Sequence, residues 1–166
     1  RNRREAKQGK QTGRTIEIQR LIGRSLRTIL DLKSFPSGQF IIDCDVIQAD
    51  GGTRTASITG AYVALALAVK KLLKKGVLTK NPIKDSLAAI SCGVINGNIL
   101  VDLDYTEDSM ADVDANFVFA KKMGVSEVQI SGEKTTFNLK TVSQMLKLSL
   151  ESTKEIFLLQ EKIIGK

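Results

Sequence analysis

The sequence predicts an α+β fold, because helical and antiparallel strand patterns are mixed without the regular strand–helix alternation of a parallel sheet. Two kinds of segment support this: long ones with apolar residues at helical spacing, and shorter ones that are mostly apolar and β-rich. A strong hairpin signal at Asn96-Gly97 adds an antiparallel strand pair. With 166 residues, 42% of them hydrophobic, the chain can bury a sizeable core. We therefore expect one domain over residues 1–166.

Three segments have the pattern of helices. Residues 14–32 place isoleucines and leucines three or four positions apart, with the arginines largely on the opposite side. Residues 53–75 are rich in alanine and leucine and end in lysines before Gly76, which suits both the helix dipole and a glycine cap. Residues 139–164 predict a long closing helix, with Met145, Leu159 and Ile163 among its buried positions.

The remaining patterned segments predict strands. An alternating segment follows a turn around Pro36, and a mostly apolar segment leads into the hairpin turn at Asn96-Gly97. Two further strands flank a turn at Met123-Gly124. The predicted strands cover residues 39–48, 87–95, 99–103, 113–121 and 127–131.

The composition excludes several kinds of chemistry. The chain has no histidine, so histidine acid–base catalysis, histidine metal ligation and phosphohistidine intermediates are excluded within it. Cys44 and Cys92 lie in apolar segments without the spacing of a zinc site, which predicts free thiols in a reducing compartment. We find no signal-peptide pattern and no apolar run near the roughly twenty residues that span a bilayer. We expect a cytoplasmic protein without a membrane partner.

Positive charge is concentrated at the start of the chain. The net charge is +7, and the first fourteen residues hold six basic side chains against one acidic one. Residues 1–13 therefore predict a basic arm that a nucleic-acid backbone would attract, although a solvated flexible terminus has the same composition. The chain does not begin with methionine, and we expect it to be a fragment. The six basic residues are Arg1, Arg3, Arg4, Lys7, Lys10 and Arg14.

A glycine-rich turn joins a predicted strand to a predicted helix at Asp50-Gly51-Gly52-Thr53-Arg54-Thr55. Glycines let backbone amides approach an anion closely, and a helix start adds unpaired N–H groups and a positive dipole end. The threonine hydroxyls and the Arg54 guanidinium are further donors suited to phosphate oxygens. The turn lacks the lysine of a nucleotide-binding P-loop, so free phosphate fits better than a nucleoside triphosphate. An ordinary capped turn has the same pattern.

The second chemical motif is acidic. Six carboxylates occur between Asp102 and Asp114, and they repel each other unless they are solvated or share a cation. Mg²⁺ is usually held by one or two carboxylates together with waters and substrate phosphate, so the segment could supply a metal site. A solvated acidic loop is the alternative, and the spacing does not say which acids converge.

Four segments together resemble the ribonuclease PH family. They read GRTIEIQRLI at residues 13–22, DCDVIQADGGTRTASITG at 43–60, EDS at 107–109 and DVDAN at 112–116. The resemblance extends nearly end to end. It implies a ribosomal protein S5 domain 2-like α+β fold, a mixed sheet with packed helices, assembled as a homohexameric ring of dimers, with the N-terminal third of that fold missing from this chain.

The resemblance also implies the chemistry. Inorganic phosphate would attack the last phosphodiester at the 3′ end of a transfer-RNA precursor or another RNA and release a nucleoside diphosphate, reversibly. Arg14, Gly52, Thr53 and Arg54 would bind the attacking phosphate. Asp108 and Asp114 would hold Mg²⁺ or Mn²⁺ or serve the leaving group, with Asp114 the candidate general acid and Arg54 part of the catalytic set. Arg1 and Arg4 correspond to basic positions that contact RNA.

One departure from the family pattern concerns residues 130–137, which read ISGEKTTF instead of a Gly-Thr-Ala-Glu pattern. It includes none of the site residues named above. The alternative function is a non-catalytic RNA-binding subunit of an exosome-like ring. The presence of Arg14, Arg54, Asp108 and Asp114 favours the enzyme, because a purely structural subunit has no need of both motifs.

Overall fold

The computed structural model describes Gly9, residues 11–35 and residues 38–165. Within these residues, helices and strands mix as the sequence predicts for an α+β fold. The helices are α1 (Gly13–Thr28), α2 (Thr53–Lys74), α3 (Tyr105–Met110) and α4 (Leu139–Ile164), with one turn of 3₁₀-helix at Leu32–Ser34. The strands are β1 (Leu87–Ile95), β2 (Asn98–Val101), β3 (Val113–Ala120) and β4 (Gly124–Gly132).

The four strands form one antiparallel sheet in the order β2-β1-β3-β4. Side chains alternate between its two faces, as strand geometry requires. On β3, Val118 and Ala120 enter the core shared with α1 and α2, whereas Phe117 and Phe119 pack with residues of α4 on the other face. The same alternation places Asp114 on the α1–α2 face. The sheet is thus a central layer, and the polar end of β3 meets the starts of the helices.

Helix α1 begins where Thr12 caps it by accepting a hydrogen bond from the Thr15 N–H at 3.4 Å. It ends at Thr28, four residues earlier than the periodicity predicts. The difference has a tertiary cause: Leu30 forms a β-bridge with Ile83, and the Asp31 N–H donates to the Pro82 carbonyl at 2.8 Å. These contacts across the domain draw the chain out of the helix before its apolar pattern ends.

The strand predicted at residues 39–48 is wrong. This segment has no strand structure, and Ile41 and Ile47 are 82% and 93% exposed. An alternating pattern gives a strand only when a second backbone completes the hydrogen bonds. Among the described residues no strand pairs with this segment.

The prediction for the buried face of α4 is partly wrong. Met145 is fully buried, but Leu159 and Ile163 are 60% and 62% exposed. The face toward the core instead carries Phe157 and Ile164, which lie seven residues apart and therefore about two helical turns along one side. The apolar residues of α4 surround the helix too widely for spacing alone to select its packed face.

Helix α2 corrects the statement that no apolar segment is near the length that spans a bilayer. By length and composition it is apolar enough to cross a membrane, and it is the one such helix in the described part of the chain. One face of it lies in the core with α1 and the sheet, as expected for the central helix of a folded domain. The buried residues on that face are Thr55, Ile58, Ala61, Tyr62, Leu65, Ala66 and Val69.

Candidate active site

The glycine-rich turn forms the start of α2. Gly52 is the N-cap residue and has a φ of +68°, a left-handed conformation that glycine adopts without steric penalty. A Cβ at this position would also lie 3.3 Å from the Ser91 hydroxyl. The turn therefore requires glycine, and it presents the first N–H groups of a 22-residue helix, which have no acceptor within the helix. Thr53 and Arg54 are the first two residues of that helix.

Two predicted donors of this turn are used inside the protein. The Gly51 N–H donates to the Asp50 carboxylate at 2.9 Å. The Thr55 hydroxyl is buried and donates to the Gly52 carbonyl at 2.8 Å. The candidate anion-binding groups that remain at this point are therefore fewer than the sequence suggests: the Gly52 backbone, Thr53 and Arg54.

The acidic segment is not a simple loop, since it contains the short helix α3. The Asp104 side chain accepts a hydrogen bond from the Glu107 N–H at 2.7 Å, and the Glu107 side chain accepts one from the Asp104 N–H at 3.0 Å. This reciprocal pair is a capping box, so these two acids have a structural role. Sequence reasoning missed α3, although the Asp-x-x-Glu spacing was visible.

An ion pair joins the two motifs. The Nη2 atom of Arg54, on the first turn of α2, lies 3.0 Å from the Oδ2 atom of Asp114 on β3. Both side chains are about four-fifths buried, with exposures of 20% and 18%. Folding thus brings a residue of the glycine-rich turn into contact with one of the acidic segment, 60 positions later in the chain.

The charges of this ion pair also affect the pKa of Asp108. Burial is the largest cause that raises its pKa above the ordinary value, and repulsion by the Asp114 carboxylate adds to it. The positive charges of Arg54 and Arg14 oppose the rise. The charges of the three other predicted site residues thus act on Asp108, although Arg14 comes from the start of α1 and is exposed.

The loop that departs from the family pattern lies beside this site. The Glu133 N–H donates to the Asp112 carbonyl at 2.9 Å, and the Lys134 ammonium donates to the Met110 carbonyl at 2.7 Å. The Glu133 carboxylate also contributes to the raised pKa of Asp108. The loop contains no predicted site residue, but it supports the end of α3 and influences one of the two candidate metal ligands.

Buried polar atoms next to Asp114 were missed by sequence reasoning. The Asp114 Oδ1, Asn116 Nδ2 and Gln129 Oε1 atoms are buried and have no hydrogen-bond partner among the described residues. Asn116 and Gln129 face each other across β3 and β4, and Gln129 donates to Glu17 of α1 at 2.7 Å. The presence of Asn116 in the DVDAN motif was the available signal.

The donor set fits a hard cation coordinated mainly by water and substrate. The described residues hold no cluster of three or more potential metal-binding side chains. Mg²⁺ does not need one, because one or two carboxylates with waters and phosphate oxygens are its usual ligands. Asp114 binds Arg54 through Oδ2 and leaves Oδ1 without a partner in the described part of the chain. Asp108 and Asp114 are therefore the candidate ligands of such an ion.

Two predicted RNA-binding residues, Arg1 and Arg4, lie outside the described residues. Within the described part of the chain, a cleft of about 570 Å³ is lined by α1, by residues 40–46 and by the start of α2, including Thr53 and Arg54. The arginine is thus reachable from a concave surface as well as paired with Asp114.

Comparison with known families identifies the class of protein. A model of domain 1 of the 3′ exoribonuclease family matches residues 1–71, and a model of domain 2 of the same family matches residues 85–152. The first match contains the glycine-rich turn and the second contains the acidic segment. The site therefore lies where the two matched parts meet.

Individual relatives narrow the class. Ribonuclease PH of Caulobacter vibrioides is 54% identical over 165 residues, which cover 99% of this chain and 69% of that protein. The chain belongs to the ribonuclease PH family of 3′ exoribonucleases. Its activity is accordingly that of a phosphorolytic 3′-to-5′ exoribonuclease, a nucleotidyltransferase-type reaction that uses phosphate as co-substrate and RNA as substrate.

Solved structures agree on the fold. Rice (Oryza sativa) Rrp46 matches with a TM-score of 0.71 and 19% identity, over 94% of this chain and 68% of that one. An archaeal exosome core matches with a TM-score of 0.65 and 21% identity, over 90% of this chain and 63% of that one. The Archaeoglobus fulgidus exosome with RNA bound to the active site matches with a TM-score of 0.66 and 20% identity, over 94% of this chain and 64% of that one. The predicted S5 domain 2-like α+β class agrees with these neighbours.

Proposed function

We propose that inorganic phosphate binds between Arg14, the Gly52 backbone, Thr53 and Arg54, and attacks the terminal phosphodiester at an RNA 3′ end. The observation that carries this assignment is the 3.0 Å contact between Arg54 and Asp114, which joins the glycine-rich turn to the acidic segment. A phosphate nucleophile must have its charge neutralised before it approaches a charged diester. An arginine and helix-start amides beside a carboxylate pair meet that requirement without histidine.

The bond changes divide between the two motifs. A phosphate oxygen forms a new bond to the terminal phosphorus, and the bond from that phosphorus to the 3′ oxygen of the preceding nucleotide breaks. The products are a nucleoside diphosphate and an RNA one nucleotide shorter, whose 3′ oxygen takes up a proton. Asp114 is our candidate donor of that proton. Because the pKa of Asp108 is raised, this carboxyl group is tested with a variant of its own.

In their ionised form Asp108 and Asp114 would hold Mg²⁺, or Mn²⁺ in its place. Asp114 would serve the leaving group as proton donor only when it carries a proton instead of the ion. Such an ion supplies charge that offsets the negative charge developing on the leaving oxygen. The residues act independently of it in two ways: Arg54 orients Asp114, and Arg14 and Arg54 offset the repulsion between the two carboxylates.

We further propose transfer-RNA precursors as a substrate class, other RNA 3′ ends including ribosomal RNA as further substrates, a cytoplasmic location without a membrane partner, and a homohexamer built as a trimer of dimers. The support for RNA is the family membership, and the exosome neighbours support assembly into a ring in general. The basic arm with Arg1 and Arg4 is our candidate for the RNA strand.

The test is a product assay on the wild type and on the Asp114→Asn and Asp108→Asn variants. A 3′-extended transfer RNA is incubated with Mg²⁺, with and without inorganic phosphate. We expect nucleoside diphosphates only when phosphate is present, and RNA binding without turnover in Asp114→Asn. Full turnover in Asp114→Asn would remove this residue from the mechanism. RNA binding without any product in the wild type would favour the non-catalytic ring subunit, and nucleoside monophosphates would show that water is the nucleophile.

A further inference from the structure

The carboxylate of Asp50 connects the glycine-rich turn to helix α3. Its Oδ1 atom accepts the Gly51 N–H at 2.9 Å and the Tyr105 N–H at 2.7 Å. Tyr105 is the first residue of α3, and its N–H has no acceptor within that helix. Asp104 and Glu107 close the capping box on other N–H groups of the same end. Asp50 therefore caps α3 from a segment 55 positions away in the chain.

The backbones meet closely at the same point. A Cβ at Gly51 would lie 2.0 Å from the Leu103 carbonyl oxygen and 2.8 Å from that of Asp104. Real Cβ atoms do not approach backbone oxygens so closely, so the turn fits against residues 103–104 only because position 51 is glycine. From the opposite side, the buried Ser91 holds the same segment, since its hydroxyl accepts the Leu103 N–H at 3.0 Å.

These contacts surround the proposed site. Arg54 follows Asp50 by four residues on the glycine-rich turn, and Asp108 follows Tyr105 by three residues on α3. Arg54 is fixed a second time by Asp114 on the sheet, at 3.0 Å. Asp108 is on a helix of six residues, whose other end is held by the Lys134 ammonium on the Met110 carbonyl and by the buried Ala111. Among these contacts, the Asp50–Tyr105 hydrogen bond is the one that joins the start of α3 directly to the glycine-rich turn.

We propose that Asp50 is a positioning residue for phosphorolysis: its carboxylate joins the glycine-rich turn to α3 and so fixes the separation between the phosphate-binding groups and Asp108. This inference rests on the proposed roles of Arg54 and Asp108. Misplacement of reacting groups by about 1 Å can reduce a rate by about 100-fold, so a single connecting hydrogen bond is large enough to matter.

The bond can be removed from either side. Asp50→Ala deletes the acceptor. Tyr105→Pro deletes the donor together with the tyrosine side chain, and proline is well tolerated at the first position of a helix. The preceding residue, Asp104, already has φ −74° and ψ 175°, the extended conformation that proline requires before it. Tyr105→Ala is the matched control, because it removes a side chain that is 70% exposed and keeps the N–H. Asp50→Asn keeps the accepting oxygen and removes the charge.

The measurements are kcat and KM for RNA and phosphate, together with Tm. We expect Asp50→Ala and Tyr105→Pro to lower kcat by about 10- to 100-fold with a smaller change in KM for RNA. We expect Tyr105→Ala and Asp50→Asn to stay within about 3-fold of the wild type, since both keep the hydrogen bond. Asp31→Ala serves as the stability control, because Asp31 also accepts side-chain hydrogen bonds, from Ser34 and Lys80, but lies beyond the end of α1, away from the site.

Two results would overturn the proposal. One is unchanged kcat in both Asp50→Ala and Tyr105→Pro while Arg54→Ala abolishes turnover, which would leave the proposed function intact and Asp50 without a role. The other result concerns stability. If Asp31→Ala and Asp50→Ala lower Tm by the same amount and also lower kcat by the same factor, the effect of Asp50→Ala on kcat would come from reduced stability of the whole protein. Full activity in Arg54→Ala would instead refute the proposed site itself.

Discussion

At the scale of single residues, Arg54 is the side chain on which both motifs depend. It belongs to the glycine-rich turn, yet its guanidinium contacts Asp114 at 3.0 Å and lowers the electrostatic cost of ionising Asp108. An ion pair about four-fifths buried is sensitive to loss of one partner, because the other is left as an uncompensated charge. If Arg54 binds phosphate as proposed, phosphate binding and the arrangement of the carboxylates are coupled through this one residue.

Arg54→Ala should abolish measurable turnover, because it removes a phosphate ligand and releases Asp114. Arg54→Lys keeps the charge but loses the planar fork that binds two oxygens at once, so we expect a partial loss. Phosphate affinity measured by calorimetry, beside RNA binding, checks both. Wild-type phosphate affinity in Arg54→Ala would show that this arginine does not bind the nucleophile.

The raised pKa of Asp108 predicts a pH dependence. Between the ordinary pKa and the raised one, the folded protein holds a proton that the unfolded chain has already released. Stability is therefore highest below this window and falls as pH rises through it. Asp108→Asn should remove that decrease, and Mg²⁺ should lower the pKa of Asp108 because it binds only the ionised form. NMR titration of the carboxyl carbon with and without Mg²⁺ measures this, and a pKa that Mg²⁺ leaves unchanged would argue against Asp108 as a ligand.

At the scale of helices and strands, the elements that depend only on their own local sequence were predictable. The bounds of β1 and α4 match the sequence prediction, and α2 differs by one residue, because core periodicity, a hairpin turn and end signals act locally. The absence of a strand at residues 39–48 and the early end of α1 were not predictable, because each depends on whether another backbone segment lies close enough to form hydrogen bonds. Helix α3 was missed because its acids suggested a solvated loop, although Asp104 and Glu107 form a capping box.

Two glycines, one at the N-cap of α2 and one inside the helix, give a test of the backbone conformation at the start of α2. Gly52→Ala places a Cβ on a residue with φ +68°, a conformation that costs non-glycine residues about 1–2 kcal/mol, and it crowds the Ser91 hydroxyl. Gly60→Ala on the same helix meets no atom within 4 Å and should stabilise the protein by about 1 kcal/mol. Urea unfolding of both variants measures the difference. Equal stability of the two would contradict the strained N-cap.

At the scale of the whole molecule, the candidate site exists only after folding. Its residues come from the start of α1, the start of α2, α3 and β3, and the contact between Arg54 and Asp114 spans 60 positions. The residue types could be predicted from the two motifs and from the family resemblance. Their convergence and the Asp50–Tyr105 hydrogen bond could not, because each depends on a neighbour distant in sequence. The internal use of Gly51 and Thr55 is local, and the alternative of an ordinary capped turn already allowed for it.

The charge distribution of the whole chain gives the last prediction. Most of the +7 net charge lies in the first fourteen residues, so the arm should supply much of the salt-dependent RNA affinity. Each phosphate contact on a single strand contributes about 0.7 to the slope of log K against log salt, so replacing Arg1 and Arg4 by alanine should reduce the slope by about 1.4. The matched control is Lys74→Ala with Lys75→Ala, which removes the same charge at the far end of α2. Binding of a single-stranded RNA across a salt series measures both slopes. Equal slopes for the two double variants would mean that net charge, and not the arm, attracts the RNA.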